Sequence, residues 1–302
     1  MDSTPQNPQI NRNKNQRFTI ILAIVCFILL AFDFAVSDTG KNILSYIEIT
    51  YQNAKASNEF SDSFDNIKLN ETGKMSNSES PDWWLSSGGY FNSKNGVART
   101  PQRFISKSNY WYKKYKKSNP KDTDKGSHPQ NIFRLVTRSK WENFTQQVYF
   151  QIRRNNLSKS KNRNSSNGIL LFNHYQDQDN LYYAGVRVDG RAVIKKKIDG
   201  DYYTLTQKRV FKGDYDRKDR PNLIPKRAWM GLKSEVTTNS DDTVTINLYL
   251  DEKQNGDWRL VLSATDDNES YGGEAIRDAG YGGIRTDFMD VEFDNYKIQE
   301  TD

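Results

Sequence analysis

Side chains with the chemistry of a sugar-binding surface alternate along three predicted strands. Sugars present flat C–H faces and a ring of hydroxyl groups, so a site for them needs aromatic rings beside amides and fork-shaped donors. Every second residue of a strand points to the same face of its sheet. The outward positions therefore predict one ligand-binding face, formed by Tyr149, Gln151, Arg153, Tyr183, Arg187, Asn247 and Tyr249. An ordinary solvated sheet face is the alternative.

The strands that position these residues follow from hydrophobic alternation. Residues 169–197 predict three short strands joined by a polar turn and by the Asp189-Gly190 hairpin turn, where glycine accepts positive φ. Residues 141–153 and 243–251 alternate in the same way, with apolar and polar side chains on opposite faces. The sequence thus predicts a large antiparallel sheet with the 169–197 meander at its middle.

The composition favours an all-β fold. The chain of 302 residues is 35% hydrophobic and 13% aromatic, and sandwiches bury wide aromatic side chains between their sheets. Many short strands at even spacing, with no helix of core-forming length after residue 60, predict a two-sheet antiparallel jelly-roll sandwich over residues 59–302. Residues 107–130 are predicted to be a surface insertion. Its part YWYKKYKK (110–117) is either solvated or contacts an anionic polymer or lipid headgroups.

Charge, cysteine and histidine content narrow the class of partner. The net charge of +6 is spread along the chain, whereas nucleic-acid binders usually concentrate it on one element, so no nucleic acid is expected. Cys26, in an apolar run, is the single cysteine, so the chain cannot form an intrachain disulfide. His128 and His174 are too few and too far apart in sequence to predict a zinc site.

An apolar segment near the N-terminus predicts membrane attachment. Residues 18–36 would span about 28 Å as a helix, close to the thickness of a bilayer core. A basic flank places residues 1–17 in the cytoplasm and the chain after residue 37 outside, with residues 37–58 as a stalk or linker. The alternative is a signal peptide cut near Ser37, which would make the domain secreted.

Several motifs occur in an order that resembles the concanavalin A-like lectin/glucanase superfamily, in its laminin-G-like branch. Each motif is loose, and the resemblance lies in their order between about residues 60 and 298. The matching stretches are FSDSF (60–64), WLSSGG (84–89), WENF (141–144), NLYYAGV (180–186), WMGLKSEV (229–236), GGIRT (282–286) and FDNYKI (293–298). The resemblance implies a jelly-roll sandwich. Because this superfamily hosts lectin-like modules, glycosidases, lyases and structural domains, the fold does not fix the function.

The resemblance also implies a calcium site. In related sandwiches calcium often ties the first strand to the last, and here Asp62, Asp65 and Asp294 would supply the hard oxygen ligands that this ion prefers. The alternative is that Asp294 orders the terminal turn by hydrogen bonds alone.

Two catalytic arrangements of the superfamily have partial counterparts. Lyases of this fold place Arg, Gln, His and Tyr on the concave sheet, where the His and Tyr move protons. The counterparts here are Arg134, Gln151, His174 and Tyr183. Glycosidases use an acidic strand, and Asp290, Glu292 and Asp294 alternate on one strand in a different order from that pattern. A solvated face of mutually repelling carboxylates is the preferred interpretation of this acidic strand.

These observations predict a membrane-anchored, extracytoplasmic module that binds glycan or polysaccharide without catalysis. One alternative is a polysaccharide lyase or glycoside hydrolase of the same fold, with His174 and Tyr183 as the proton-transfer pair. The other is a structural envelope or surface subunit that contacts proteins.

Overall fold

The computed structural model describes residues 59–301. In this range sixteen strands, one α-helix and two short 3-10 helices form a single compact unit. The strands are β1 (Glu59–Asp62), β2 (Lys68–Asn70), β3 (Trp83–Ser87), β4 (Tyr90–Lys94), β5 (Val97–Arg99), β6 (Phe133–Trp141), β7 (Phe144–Asn155), β8 (Gly168–Tyr175), β9 (Leu181–Arg187), β10 (Arg191–Ile198), β11 (Asp201–Arg209), β12 (Met230–Thr238), β13 (Val244–Asp251), β14 (Arg259–Asp266), β15 (Gly280–Thr286) and β16 (Met289–Glu300). The helix α1 is Tyr110–Ser118, and the 3-10 helices are Met75–Asn77 and Pro129–Ile132.

The strands form two antiparallel sheets. The nine-stranded sheet has the order β14-β13-β12-β7-β16-β5-β4-β2, and β1 also pairs with β16. The seven-stranded sheet has the order β11-β10-β9-β8-β15-β6-β3. The two-sheet sandwich implied by the resemblance is confirmed. The first strand pairs with the last, where Asp62 lies opposite Tyr296.

The predicted meander is β8-β9-β10, and it is buried on both faces. Alternate side chains such as Leu171, Ala184 and Ile194 enter the main core between the sheets. Their neighbours Leu170 and Tyr183 belong to a second buried cluster on the opposite, outer face. Every residue of β8 and β9 is buried as a result. The outer face of the seven-stranded sheet is therefore partly covered by other side chains.

The surface insertion contains a helix that the sequence analysis missed. Asn109 caps α1 by accepting a hydrogen bond from the backbone N–H of Trp111 at 2.8 Å. Trp111 and Tyr115, four residues apart, share the buried side of the helix. The Tyr115 hydroxyl accepts from the backbone N–H of Gly88 at 2.9 Å. Trp111 and Tyr115 thus dock the helix onto the β3–β4 turn. Lys114 adds an ion pair with Glu71 at 2.7 Å, while Lys113, Lys116 and Lys117 are exposed.

A buried ion pair joins β10 to the end of β14. Lys196 Nζ lies 2.9 Å from Asp266, and neither side chain is exposed to solvent. Asp266 also accepts a hydrogen bond of 2.6 Å from the Tyr182 hydroxyl. The ammonium group further donates to the backbone carbonyls of Gly273 and Glu274 at 2.8 and 2.6 Å. This network anchors the loop between β14 and β15 to both sheets.

The predicted membrane segment, residues 18–36, and the stalk at 37–58 lie outside the described residues. Within residues 59–301, none of the helices is long and apolar enough to cross a membrane.

Candidate functional site

A pocket of about 670 Å³ opens on the outer face of the seven-stranded sheet. Its floor consists of side chains that point away from the main core, among them Leu170 of β8 and Val193 of β10. Its rim is polar and comes from two loops that contribute, among others, Asn119, Asp122 and Asn164. A concave apolar floor with a few convergent polar groups is the usual form of a small-ligand site.

Two tyrosines form one wall of the pocket. Tyr183 of β9 and Tyr202 of β11 stack with ring centroids 6.1 Å apart and planes 25° apart. Tyr183 is buried and packs on Phe172 at 5.6 Å, whereas Tyr202 is 52% exposed. Burial raises the pKa of Tyr183. The inner ring thus braces the outer one, which offers an aromatic surface to a ligand.

An arginine is held rigidly beside these rings. Arg285 Nε donates to both carboxylate oxygens of Asp287 at 3.1 Å. Its Nη1 donates to the Tyr183 hydroxyl at 2.9 Å, and the guanidinium carbon lies 5.2 Å from the centre of that ring. Burial alone would raise the pKa of Tyr202, but the positive charges of Arg285 and Lys197 lower it. The pocket therefore combines an aromatic platform with pre-oriented donors and a positive local field.

The seven residues of the predicted ligand-binding face do not share one surface. Tyr183 lines the pocket, and Arg187 lies on the same strand, where its Nη2 pairs with Asp189 at 2.8 Å. The other five lie on β7 and β13 of the opposite sheet; they are Tyr149, Gln151, Arg153, Asn247 and Tyr249. The expectation of a single face is corrected because strand alternation defines a face only within one sheet.

The five residues on the nine-stranded sheet belong to a second polar-aromatic surface. Tyr149 packs on Trp258 with ring centroids 5.6 Å apart. Lys233 Nζ lies 4.5 Å from the ring centre of Tyr249 and 5.0 Å from that of Trp258. The Tyr249 hydroxyl also donates to Glu235 at 3.1 Å. A lysine thus lies over these rings, much as Lys197 lies 5.1 Å from the ring centre of Tyr202 in the pocket. The pocket differs in being concave, with polar groups that converge on an apolar floor.

The four catalytic candidates do not converge. Arg134 and Tyr183 line the pocket. Gln151 lies on the other sheet and accepts a hydrogen bond from Arg153 at 2.5 Å. His174 is fully buried, and its Nδ1 and Nε2 lie 2.6 and 2.7 Å from the carbonyl oxygens of Ile276 and Glu142. The predicted His174–Tyr183 proton-transfer pair is therefore absent from the pocket.

A local backbone feature explains the position of His174. Strand alternation puts it on the face of Phe172, but its φ of 46° is in the left-handed region and breaks that alternation. Its ring instead lies 6.3 Å from that of Tyr182 and 5.9 Å from that of Phe144, both in the main core. Burial lowers the pKa of this imidazole. His174 is a structural residue whose buried ring lies against two loop carbonyls, and as a neutral imidazole it donates to one of them.

The acidic strand is not a solvated face. Asp290 is buried and accepts hydrogen bonds from Gln130 at 2.8 Å and Asn156 at 3.0 Å. Glu292 is also buried and pairs with Arg99 at 3.0 Å. The preferred interpretation was therefore wrong for these two carboxylates. Both are satisfied by protein groups, so they order the sheet.

The three aspartates predicted to hold calcium are not gathered into a metal-binding cluster in the described residues. Both carboxylate oxygens of Asp62 accept hydrogen bonds, from the Phe64 backbone at 2.7 Å and from the Trp83 indole at 2.8 Å. Burial, together with the charge of Asp65, raises the pKa of Asp294. Within residues 59–301, no group of three or more histidine, cysteine, aspartate or glutamate side chains is arranged to hold a metal. The indole bond of Asp62 instead connects β1 to β3.

No family model and no curated protein matches the sequence. Solved structures share the sandwich at low similarity. The carbohydrate-binding module CBM66 from Bacillus subtilis is 14% identical with a TM-score of 0.44, over 72% of this chain and 95% of that one. The VIP36 exoplasmic/lumenal domain in its Ca2+-bound form is 9% identical with a TM-score of 0.42, over 82% and 92%. The GH43 protein BlXynB from Bacillus licheniformis is 13% identical with a TM-score of 0.42, over 80% and 39%. Likenesses at this level carry no argument about ligand or activity.

Proposed function

We propose that the protein is a glycan-binding module and that the pocket on the seven-stranded sheet is its binding site. The observation that carries this proposal is the stacked pair Tyr183–Tyr202 beside the fixed guanidinium of Arg285. A sugar ring needs an aromatic face for its C–H groups and rigid donors for its hydroxyl groups. Amide side chains at the rim, including Asn119 and Asn164, add further hydrogen-bonding partners.

We propose that binding occurs without turnover. Hydrolysis or elimination needs a positioned acid and base within reach of the scissile bond. The two carboxylates that line the pocket are engaged, because Asp287 is bound by Arg285 and Asp122 accepts from Ser160 at 2.5 Å and from Asn162 at 3.0 Å. Neither group is arranged as a free acid or base.

An array of polysaccharides probed with the full-length chain in detergent micelles tests this proposal. We expect specific retention on some polysaccharides, without unsaturated products or new reducing ends after prolonged incubation. Products from a bound polysaccharide would instead support the lyase or hydrolase alternative. If none of the polysaccharides retains the protein, glycan binding is contradicted and the structural alternative is favoured.

We propose that the domain lies outside the cell and is anchored to the membrane by residues 18–36. The apolar length and the basic flank support this topology. Protease added to intact cells should then digest the domain and spare residues 1–17. A domain that is protected in intact cells, but digested after lysis, would reverse the topology. Recovery of the domain in the medium, beginning near Ser37, would support cleavage.

A further inference from the structure

Positive charge is concentrated in the pocket beyond what its own carboxylates neutralise. Arg134 of β6 lies directly opposite Arg285 of β15 in the strand register. Lys195 of β10 lies directly opposite Tyr183 of β9 and also lines the pocket. Like charges directly opposite each other in a sheet are unfavourable. An arrangement that holds three cations around one pocket is stabilised when an anion enters it.

The contrast with neighbouring basic residues singles out Lys195. In the run Lys195-Lys196-Lys197, Lys196 pairs with Asp266 at 2.9 Å and Lys197 pairs with Asp179 at 2.7 Å. Within residues 59–301, Lys195 has no ion pair or hydrogen bond through its ammonium group, whose nearest aromatic contact is the Tyr202 ring centre at 5.8 Å. Burial and then the charge of Arg187 lower the pKa of Lys195.

Arg134, like Lys195, lacks an anionic partner in the described part of the chain. Its guanidinium is nevertheless half-buried in the pocket wall. Arg285, opposite to it, is already bound to Asp287. Two cations without an ion-pair partner, the guanidinium of Arg134 and the ammonium of Lys195, therefore line a pocket whose other wall is aromatic.

We propose that the pocket selects an acidic polysaccharide built of hexuronate or sulfated residues. Because β6 and β10 are four strands apart, roughly 19 Å across the sheet, one oxyanion of the chain binds Arg134 and another binds Lys195, while a sugar ring packs on Tyr202. This inference rests on the proposed glycan-binding function and names its ligand class. Guanidinium groups suit carboxylate and sulfate groups because two N–H groups can donate in parallel to two oxygens of the same group. Among the rim amides, Asn119 and Asn162 donate to Asp122, whereas Asn164 accepts only through its Oδ1 and can donate to a sugar hydroxyl group.

Charge-matched pairs of polysaccharides test the inference on the full-length chain in detergent micelles. The probes are polygalacturonate, alginate and a glucuronate polymer, each beside its carboxyl-reduced neutral form, a sulfated galactan beside its desulfated form, and neutral glucan and xylan. We expect binding to at least one acidic member, weakened about tenfold or more when its charge is removed. High salt should reduce this difference, since it screens exposed charges. The carboxylate and sulfate arms identify which oxyanion is preferred.

Variants connect the selectivity to the two cations. Lys195→Met and Arg134→Met should each remove most of the preference for the acidic form, and Lys195→Arg should retain it. Lys208→Met is the matched control, since Lys208 is exposed on the same sheet and does not line the pocket. Equal binding of acidic and neutral forms, or binding of neutral polysaccharides alone, would overturn the inference and leave glycan binding intact. A chain that binds none of the probes would overturn both proposals.

Discussion

Replacing Tyr202 with alanine should weaken glycan binding about 30-fold. Tyr202 is 52% exposed at the pocket wall and stacks on the buried Tyr183. Truncation of a central aromatic contact typically costs about 2 kcal/mol of binding free energy, which corresponds to about 30-fold in Kd. Titration calorimetry with a polysaccharide identified on the array measures the change directly.

Tyr249→Ala is the matched control for this prediction. Tyr249 lies on the nine-stranded sheet, where its ring is contacted by Lys233. The variant should bind the polysaccharide as the wild-type protein does. If Tyr249→Ala loses binding and Tyr202→Ala keeps it, the site lies on the other sheet. Thermal unfolding of both variants shows whether the fold is retained, as expected for two substitutions outside the main core.

Replacing Lys196 with methionine should lower the free energy of unfolding by about 3–5 kcal/mol. The substitution leaves Asp266 as a buried charge without its cation, and breaking a buried ion pair from one side has costs of this size. It also removes the donor to the carbonyls of Gly273 and Glu274. Urea denaturation followed by tryptophan fluorescence measures the change.

Lys297→Met is the control for the buried pair. Lys297 pairs with Glu59 at 3.0 Å, but both side chains are more than a third exposed, so its loss should change the free energy of unfolding by less than about 1 kcal/mol. A similar small loss for Lys196→Met would mean that the network around Asp266 does not stabilise the domain.

Strand patterns and turn residues were sufficient to predict the meander, and the number and spacing of the strands predicted the sandwich. Residues 169–174 form an apolar run of strand length, residues 181–188 alternate, and the Asp189-Gly190 turn follows them, with Gly190 at a φ of 81°. Alternation does not reveal which sheet a strand joins, since that depends on pairings between distant segments. Tyr183 and Tyr249 have the same local pattern, yet β9 and β13 lie in different sheets. The predicted face was divided for this reason.

The residues that complete the pocket lacked a local signal. Tyr202 reaches Tyr183 only because β11 follows β10 at the sheet edge, and Arg285 reaches it because β15 pairs with β8. The sequence did contain one usable clue. Lys195 shares the outward parity of Val193, a position where the neighbouring strands bury apolar side chains, so a lysine there faces a partly covered surface.

His174 and the helix α1 show two further limits of pattern reasoning. A single residue with positive φ moved the His174 ring from the predicted face to the main core. The segment YWYKKYKK has a low apolar content, but two aromatic residues four positions apart suffice to dock a short helix. Because basic residues stand between these two aromatic residues, the segment resembles a solvated loop in the sequence.

A crystal structure of the protein with a bound oligosaccharide from the array is the most direct test of the central claim. The pocket model predicts a sugar ring against Tyr202, with polar groups within hydrogen-bonding distance of Arg285 and the rim amides. The model would be contradicted if the sugar bound only on the nine-stranded sheet, over Tyr149, Tyr249 and Trp258.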